Sequence, residues 1–165
     1  MPFNLELKIK LDSHAKIEKI LRNNEASFEG ILIQKDIYYK IEHGLLKLRV
    51  EKGNSTLIKY LRDESGKRWS NYELLELKGK NPEEYLSDIL KVEAVVEKKR
   101  KLYLYDNTRI HLDVVKELGN FLELETLLVD SRSSATKRFE YVKKLLAIED
   151  HKEIRASYKN LILKK

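Results

Sequence analysis

Residues 4–11 of the chain read NLELKIKL, and this alternation decides the fold. In an extended chain successive side chains point to opposite faces, so the segment has one apolar and one polar face. The apolar face would consist of Leu5, Leu7, Ile9 and Leu11, and the polar face of Asn4, Glu6, Lys8 and Lys10. The segment is therefore predicted to be a β-strand that carries a charge at every polar position except Asn4.

The same alternation recurs along the chain and predicts further strands over 28–41, 46–51, 56–62, 69–77, 92–105, 108–117 and 120–129. Turn-forming pairs separate neighbouring strands, namely His43–Gly44, Gly53–Asn54, Ser65–Gly66, Asp106–Asn107 and Leu118–Gly119. Helical spacing predicts helices over 13–24, 82–90 and 131–147, whereas residues 151–165 fit a short helix or strand. These elements predict an α+β fold in one domain over residues 1–165, an eight-stranded, mostly antiparallel β barrel or tunnel flanked by helices.

The composition excludes several classes of protein. The chain has 42% hydrophobic residues and no cysteine, so it can build a core but no zinc ribbon, CxxC redox centre or disulfide scaffold. It has neither a signal-peptide core nor a long apolar window, so we expect a cytoplasmic protein that does not cross a membrane. The net charge of +6 is moderate, and its arrangement is more informative than its size.

The polar faces of the predicted strands carry cations in groups: Lys8 and Lys10, Lys47 and Arg49, Arg62, Lys98 and Arg100, and Arg109. For any single strand, a solvent-exposed charged face remains an equally good interpretation. Natural surfaces mix charges of both signs, however, and within most of these strands the charges have one sign. The set as a whole favours a barrel with a charged, wet lumen and helices over its apolar outer faces.

A lumen of this kind would bind an anion whose charge is spread along its length, such as a triphosphate. Guanidinium groups suit bidentate contact with phosphate, and lysines supply point charges. The carboxylates of Glu6, Glu123 and Glu125 cannot bind phosphate directly. They are the oxygen ligands that Mg²⁺ or Mn²⁺ would take together with substrate phosphates.

Motifs along almost the whole chain resemble those of the CYTH superfamily, the triphosphate tunnel metalloenzymes. Asn4–Lys8 resembles the ExExK signature, Gln34–Tyr38 the QxDxY segment, Leu46–Arg49 the LRLR strand and Val96–Tyr103 the VxKxRxxY motif. Thr108–Glu125 resembles the hLDxVxxLGxFLExE block, and Ser157–Leu161 the SYxDLL ending of class IV adenylate cyclase-like members. Each motif is weak by itself, but their shared order is specific.

The resemblance implies an eight-stranded antiparallel tunnel and chemistry on a triphosphate that depends on Mg²⁺ or Mn²⁺. Carried over by position, it implies metal ligands at Glu6, Glu123 and Glu125 and catalytic roles for Lys8, Arg62 and Asp113. It also implies a phosphate path along Lys8, Lys10, Lys47, Arg49, Arg62, Lys98, Arg100 and Arg109. The first glutamate of ExExK is Asn4 here, and an amide is a weaker ligand for Mg²⁺ than a carboxylate, which puts a second metal ion in doubt.

We therefore expect an enzyme similar to class IV adenylate cyclases, which convert ATP to cyclic AMP and pyrophosphate, because Ser157–Leu161 and Arg109–Asp113 resemble that branch. An inorganic or thiamine triphosphatase is the first alternative. A non-catalytic polyphosphate- or nucleotide-binding protein that has lost a metal site at Asn4 is the second. The expected partner is the triphosphate itself, without nucleic acid or membrane, and a homodimer stays open.

Overall fold

The computed structural model describes residues 3–62 and 69–165, and the side chains of residues 62, 69 and 70 lie outside the described part. The strands are β1 (Phe3–Leu11), β2 (Ser27–Tyr39), β3 (Leu45–Glu51), β4 (Asn54–Arg62), β5 (Trp69–Leu77), β6 (Val92–Tyr105), β7 (Thr108–Val115) and β8 (Gly119–Leu127). The helices are α1 (Ala15–Asn23), α2 (Pro82–Ile89), α3 (Arg132–Leu145) and α4 (Tyr158–Leu163). The expected turn at Ser65–Gly66 lies outside the described residues.

The strands form a closed barrel in the order β1-β5-β4-β3-β2-β6-β7-β8, and every neighbouring pair is antiparallel. The predicted barrel is thus confirmed. The β1 strand closes it by pairing with β8 from Asn4 opposite Leu127 to Leu11 opposite Asn120. On its other side β1 pairs with β5 over a much shorter stretch, from Phe3 to Leu5.

The tight connection between β6 and β7 follows from its two turn residues. Asp106 and Asn107 have φ angles of 46° and 55°, the left-handed region that a two-residue hairpin turn of the favoured twist requires. Asparagine and aspartate tolerate this region better than most residues because their short side chains can hydrogen-bond locally. This turn sets the register in which Arg100 faces Asp113 across the pair.

Three helices cover the apolar outer faces of the barrel, as the amphipathic patterns predicted. Ile17 and Leu21 of α1 and Phe139 and Val142 of α3 pack in one core with the outward residues of β1, β7 and β8. Leu86 of α2 packs with outward residues of β2 and β3 in a second core. Burial of each such side chain contributes about 1.5–3 kcal/mol. Because the outer faces bury the apolar residues, the charged faces line the lumen.

The α4 helix packs differently, against inward-facing residues of the barrel. Its first residue, Tyr158, clusters with Tyr38, Val96, Val115 and Phe121, and its ring meets that of Phe121 edge-on at 5.1 Å. The Ser157 side chain caps the helix by accepting a hydrogen bond from the backbone N–H of Asn160. The segment that ends in α4 therefore fills one end of the lumen. Within residues 3–62 and 69–165, no helix is long and apolar enough to cross a bilayer.

Candidate functional site

The barrel encloses a cavity of about 890 Å³, lined by side chains from all eight strands and from residues 153–160. Nine of the predicted site residues line it together: Glu6, Lys8, Lys47, Arg49, Lys98, Arg100, Arg109, Glu123 and Glu125. Arg62 ends β4, but its side chain lies outside the described part of the chain, so its predicted role stays a prediction.

Lys10 does not line the cavity. Its side chain is exposed, with the ammonium 5.9 Å from the centre of the Phe121 ring. The reason is that residues 154–156 meet β1 at Lys8, where the backbone N–H of Ile154 donates to the carbonyl of Lys8 at 2.7 Å. Lys10, the next residue on the same strand face, lies on the solvent side of this crossing and outside the cavity lining, so its place on the phosphate path stays a prediction.

Asp113 lies beneath the cavity wall rather than in it. Its carboxylate is fully buried and accepts hydrogen bonds from Nε and Nη2 of Arg100, both at 2.7 Å, and from the Tyr158 hydroxyl at 2.7 Å. Burial alone would raise the pKa of Asp113, but the charge and hydrogen bonds of Arg100 hold it below its ordinary value. The oxygens of Asp113 orient the Arg100 guanidinium from outside the cavity lining, and its catalytic role stays a prediction.

Asp36 is a second buried carboxylate, to which sequence reasoning gave no role. Arg49 donates to it through Nε and Nη2 at 2.8 and 2.9 Å, and the ammonium groups of Lys98 and Lys47 lie 2.8 and 3.3 Å away. Burial would raise the pKa of Asp36, but Lys47, Lys98 and Arg49 hold it well below its ordinary value. Asp36 thus fixes three cations of the expected phosphate path. The signal was present in the alternation of β2, which places Asp36 inward.

Glu123 lies among cations as well. Its carboxylate is 3.8 Å from the Lys8 ammonium, 3.5 Å from Arg100 and 3.8 Å from His111 Nδ1. Burial would raise the pKa of Glu123, whereas Lys8, His111 and Arg100 hold it well below its ordinary value. Burial is the largest cause that lowers the pKa of His111, and the charge of Arg100 lowers it further.

The two remaining carboxylates face each other at the β1–β8 pair, Glu6 directly opposite Glu125. Each has a protein donor, since the Tyr60 hydroxyl donates to Glu6 and Arg109 Nη1 donates to Glu125 at 3.1 Å. In the described part of the chain, no three histidine or carboxylate side chains converge on a position for a metal ion. Mg²⁺ is commonly bound by one or two carboxylates with substrate phosphates and water. The Glu6–Glu125 pair fits a divalent cation that arrives with a phosphate ligand.

Asn4 lies next to this pair, two residues before Glu6 on the same face of β1. It is only 1% exposed and lines the cavity, and neither amide atom has a hydrogen-bond partner among the described residues. Buried polar groups without partners are uncommon in folded proteins. The amide oxygen of Asn4 is thus available as a further, uncharged ligand for a cation beside the two carboxylates.

Two further features of the lining were not expected from the sequence. The described side chains that β4 and β5 contribute are uncharged: Thr56, Ile58, Tyr60, Leu61, Tyr72 and Leu74. Beyond Arg49 on β3, Glu51 also lines the cavity, and its Oε1 atom is buried without a hydrogen-bond partner in the described ranges. The lumen is therefore divided into a charged part and an apolar, partly aromatic wall.

The described residues thus define a class of protein, a closed antiparallel barrel whose lumen is lined by cations and paired carboxylates. The chain belongs to the CYTH domain family, whose model matches residues 3–158. No curated protein shows significant similarity to the sequence.

Several solved structures share the fold at low sequence identity. The PH1012 protein of Pyrococcus horikoshii OT3 matches with a TM-score of 0.85 and 22% identity, over 96% of this chain and 98% of that one. A candidate adenylate cyclase of Vibrio parahaemolyticus matches with 0.76 and 18%, over 98% of both chains. HpAC1 of Hippeastrum, a candidate adenylyl cyclase with a dominant triphosphatase activity, matches with 0.70 and 13%, over 99% and 96%. These likenesses confirm the fold.

Proposed function

We propose that this protein is a divalent-metal-dependent enzyme that converts ATP to cyclic AMP and pyrophosphate in the manner of class IV adenylate cyclases. The observation that carries the proposal is the divided lumen. Cations suited to a triphosphate lie beside a wall suited to a planar organic group, and both belong to one cavity.

The phosphate part of the substrate would lie along Lys8, Lys47, Arg49, Arg100 and Arg109. Cations on four strands can contact successive phosphates, which a single cation cannot. The carboxylates Asp36 and Asp113 already hold two of the arginines by bidentate hydrogen bonds. The guanidinium groups are thereby oriented before substrate binds, so less ordering is required when it does.

The organic part of the substrate would lie on the wall formed by β4 and β5. Tyr60 lies opposite Tyr72, Ile58 lies opposite Leu74, and Ile58 also lies opposite Lys47 of the phosphate path. Leu74 is 53% exposed, an unfavourable state for a large apolar side chain in a polar cavity. Nucleobases stack on aromatic side chains and bury such surface. An inorganic triphosphate has no organic group that could contact this wall.

A cation bound at Glu6 and Glu125 would neutralise phosphate charge during the reaction. Cyclisation also requires a base for the ribose 3′-hydroxyl, and Glu51 is the lining carboxylate we assign to it. The hydroxyl oxygen forms a bond to the α-phosphorus, its proton moves to Glu51, and the bond from the α-phosphorus to the pyrophosphate oxygen breaks. Pyrophosphate then leaves along the cationic path.

Product analysis tests the proposal. The purified protein would be incubated with ATP, thiamine triphosphate or tripolyphosphate, with Mg²⁺ or Mn²⁺, and with EDTA as the matched control. We expect cyclic AMP and pyrophosphate from ATP and no product in EDTA. Turnover of tripolyphosphate with no turnover of ATP would contradict the role of the apolar wall.

Hydrolysis of a triphosphate is the second candidate. It is supported by the structural likeness to HpAC1, in which the triphosphatase activity is dominant. Water in place of the ribose hydroxyl would use the same cationic path, and ADP with orthophosphate would be the products of ATP. Tight triphosphate binding without any turnover would instead favour a non-catalytic binding protein.

A further inference from the structure

Residues 153–160 contact the cavity through their backbone as well as their side chains. The backbone N–H of Ile154 donates to the carbonyl of Lys8 at 2.7 Å, and the Lys8 ammonium donates to the carbonyl of Ala156 at 3.0 Å. Both ends of Lys8, its peptide and its charged tip, are therefore held by this C-terminal segment. Lys8 and Ala156 lie 148 positions apart in the sequence.

Tyr158 extends the contact to three more groups of the site. It is 3% exposed and lines the cavity, and its hydroxyl donates to Asp113 Oδ2 at 2.7 Å. The ammonium groups of Lys8 and Lys98 lie 4.1 and 5.4 Å from the centre of its ring. At these distances a cation is attracted to the negative face of an aromatic ring.

The Tyr158 hydroxyl is a permanent donor. Burial raises its pKa well above the ordinary value, and the negative charges of Glu123 and Asp113 raise it further. The phenol therefore stays protonated and keeps donating to Asp113. That carboxylate in turn accepts from Nε and Nη2 of Arg100, so Nη1 is the guanidinium nitrogen left free of Asp113.

We propose that residues 153–160 are part of the triphosphate site, with Tyr158 as the positioning residue that fixes Arg100 through Asp113 and Lys8 through its ring. The inference rests on the proposed function, because it takes Arg100 and Lys8 to be triphosphate contacts. Tyr158 itself forms no bond to the reacting atoms. Its effect on substrate passes through the two cations it orients.

The test measures binding of tripolyphosphate by calorimetry in EDTA, so that it does not depend on turnover. Tyr158→Phe keeps the ring, its packing on Phe121 and its contact with Lys8, and removes the hydroxyl alone. We expect affinity to fall about tenfold, the effect of losing one charge-assisted hydrogen bond that orients a binding group. Tyr85→Phe, at an exposed position on α2, is the matched control and should bind as the unmodified chain does.

A double-mutant cycle with Arg100→Lys distinguishes positioning from general stabilisation. If Tyr158 acts through Arg100, adding Tyr158→Phe to the Arg100→Lys variant should change affinity by less than about twofold. If the affinity loss of the double variant equals the product of the two single losses, the proposal is wrong. Unchanged affinity of Tyr158→Phe would also overturn it. Tyr158→Leu also removes the ring and should weaken binding further than Tyr158→Phe. If the two variants bind equally, the ring does not position Lys8 and that part of the proposal is wrong.

The outcome separates the inference from the proposed function. If the double-mutant cycle shows the expected coupling but no triphosphate is turned over, the positioning role of Tyr158 stands and the proposed enzymatic function is wrong. Normal turnover with a Tyr158→Phe variant that binds normally would reject the positioning role alone. Failure of the unmodified chain to bind tripolyphosphate in EDTA would overturn the inference, whereas the proposed function is tested separately by the formation of cyclic AMP from ATP.

Discussion

Asp36 explains how cations can lie together in the lumen before any anion has bound. A buried cluster of like charges is unfavourable, because each loses hydration and repels its neighbours. The carboxylate of Asp36 contacts Arg49, Lys98 and Lys47 at 2.8 to 3.3 Å and neutralises part of this charge. Removing it would leave buried cations without their anion, which costs more free energy than an exposed ion pair contributes.

We therefore expect Asp36→Asn to lower the free energy of unfolding by about 3–5 kcal/mol, the cost of breaking a buried charge pair on one side. Urea denaturation measures the change. Glu29→Gln, at an exposed position on the same strand, is the control and should change stability by less than about 0.5 kcal/mol. An equal effect of the two substitutions would contradict the anchoring role of Asp36.

The proposed role of Glu51 as a general base can also be tested by changing a single residue, because its Oε1 atom has no hydrogen-bond partner among the described residues. Glu51→Gln keeps the shape and removes the proton acceptor. We expect the rate of cyclic AMP formation to fall about 10²- to 10⁴-fold, the usual contribution of a general base, while tripolyphosphate affinity stays within about twofold. Lys16→Gln on the exposed face of α1 is the control. A comparable loss of affinity would show that Glu51 acts in binding.

At the scale of elements, the entry into β3 depends on close backbone packing. Gly44 has a φ of +75°, and a Cβ atom there would lie 2.6 Å from the Tyr60 carbonyl oxygen and 2.6 Å from Leu61 Cδ2. Gly53, in the turn between β3 and β4, has nearly the same φ of +77° but no atom within 4 Å of that position. The two glycines have the same left-handed backbone conformation, but only Gly44 lacks room for a Cβ atom, so they form a matched pair.

Gly53→Ala should cost about 1–2 kcal/mol of unfolding free energy, from the left-handed backbone alone. Gly44→Ala should cost about 1–3 kcal/mol more, because a carbonyl oxygen of β4 must also move. Thermal and urea unfolding of both variants would measure the difference. Equal losses of unfolding free energy in the two variants would mean that the backbone of β4 moves away from residue 44 at no measurable cost.

Most elements could be predicted from periodicity, because each buries one face and its sequence repeats accordingly. The undecided element was α4, with six residues, whose helical form depends on a Ser157 cap and on docking against Tyr38 and Phe121. Alternation also assigned Lys10 to the correct strand face but could not show where the lumen ends. That limit is set by the crossing at Lys8, a contact between distant parts of the chain.

At the scale of the whole molecule, the buried carboxylates make stability depend on pH. The pKa values of Asp36, Asp113 and Glu123 lie below their ordinary values in the folded protein. In the unfolded chain these groups take up protons near about pH 4, so there the unfolded state binds more protons than the folded state. Stability from these groups is complete above about pH 5 and is lost as the pH falls through the folded-state values.

We expect urea denaturation at pH 6, 5, 4 and 3 to show a small decline in the free energy of unfolding between pH 6 and 5, where the unfolded chain protonates His111 before the folded protein does. Below about pH 4 the buried carboxyls should make the decline steep. The Asp36→Asn variant should start lower and decline less steeply, because one of the depressed carboxyls is absent. A flat profile from pH 6 to 3 in the unmodified protein would contradict the assignment of these buried ion pairs.

Strand alternation predicted which side chains would point into the lumen, although it does not test their roles. Nine of the predicted side chains line one cavity. The catalytic role of Asp113 was carried over by position from the family resemblance, and only its contacts with Arg100 and Tyr158 show that its carboxylate is enclosed. The wall of β4 and β5 was missed because alternation places Tyr72 and Leu74 on a strand face but does not show that a cavity lies beside them.

Closure of the barrel by β1 and β8 also has a consequence for synthesis on the ribosome. The nascent β1 strand lacks its longest neighbour until Gly119–Leu127 has been translated. During that time its apolar residues lack the parts of their core that β7, β8 and α3 supply, which makes the growing chain a candidate client for chaperones. The arrangement of Lys8 and Arg100 matures later still, when Tyr158 leaves the exit tunnel. The strands of the barrel thus leave the ribosome before the segment that completes the contacts of Lys8 and Arg100.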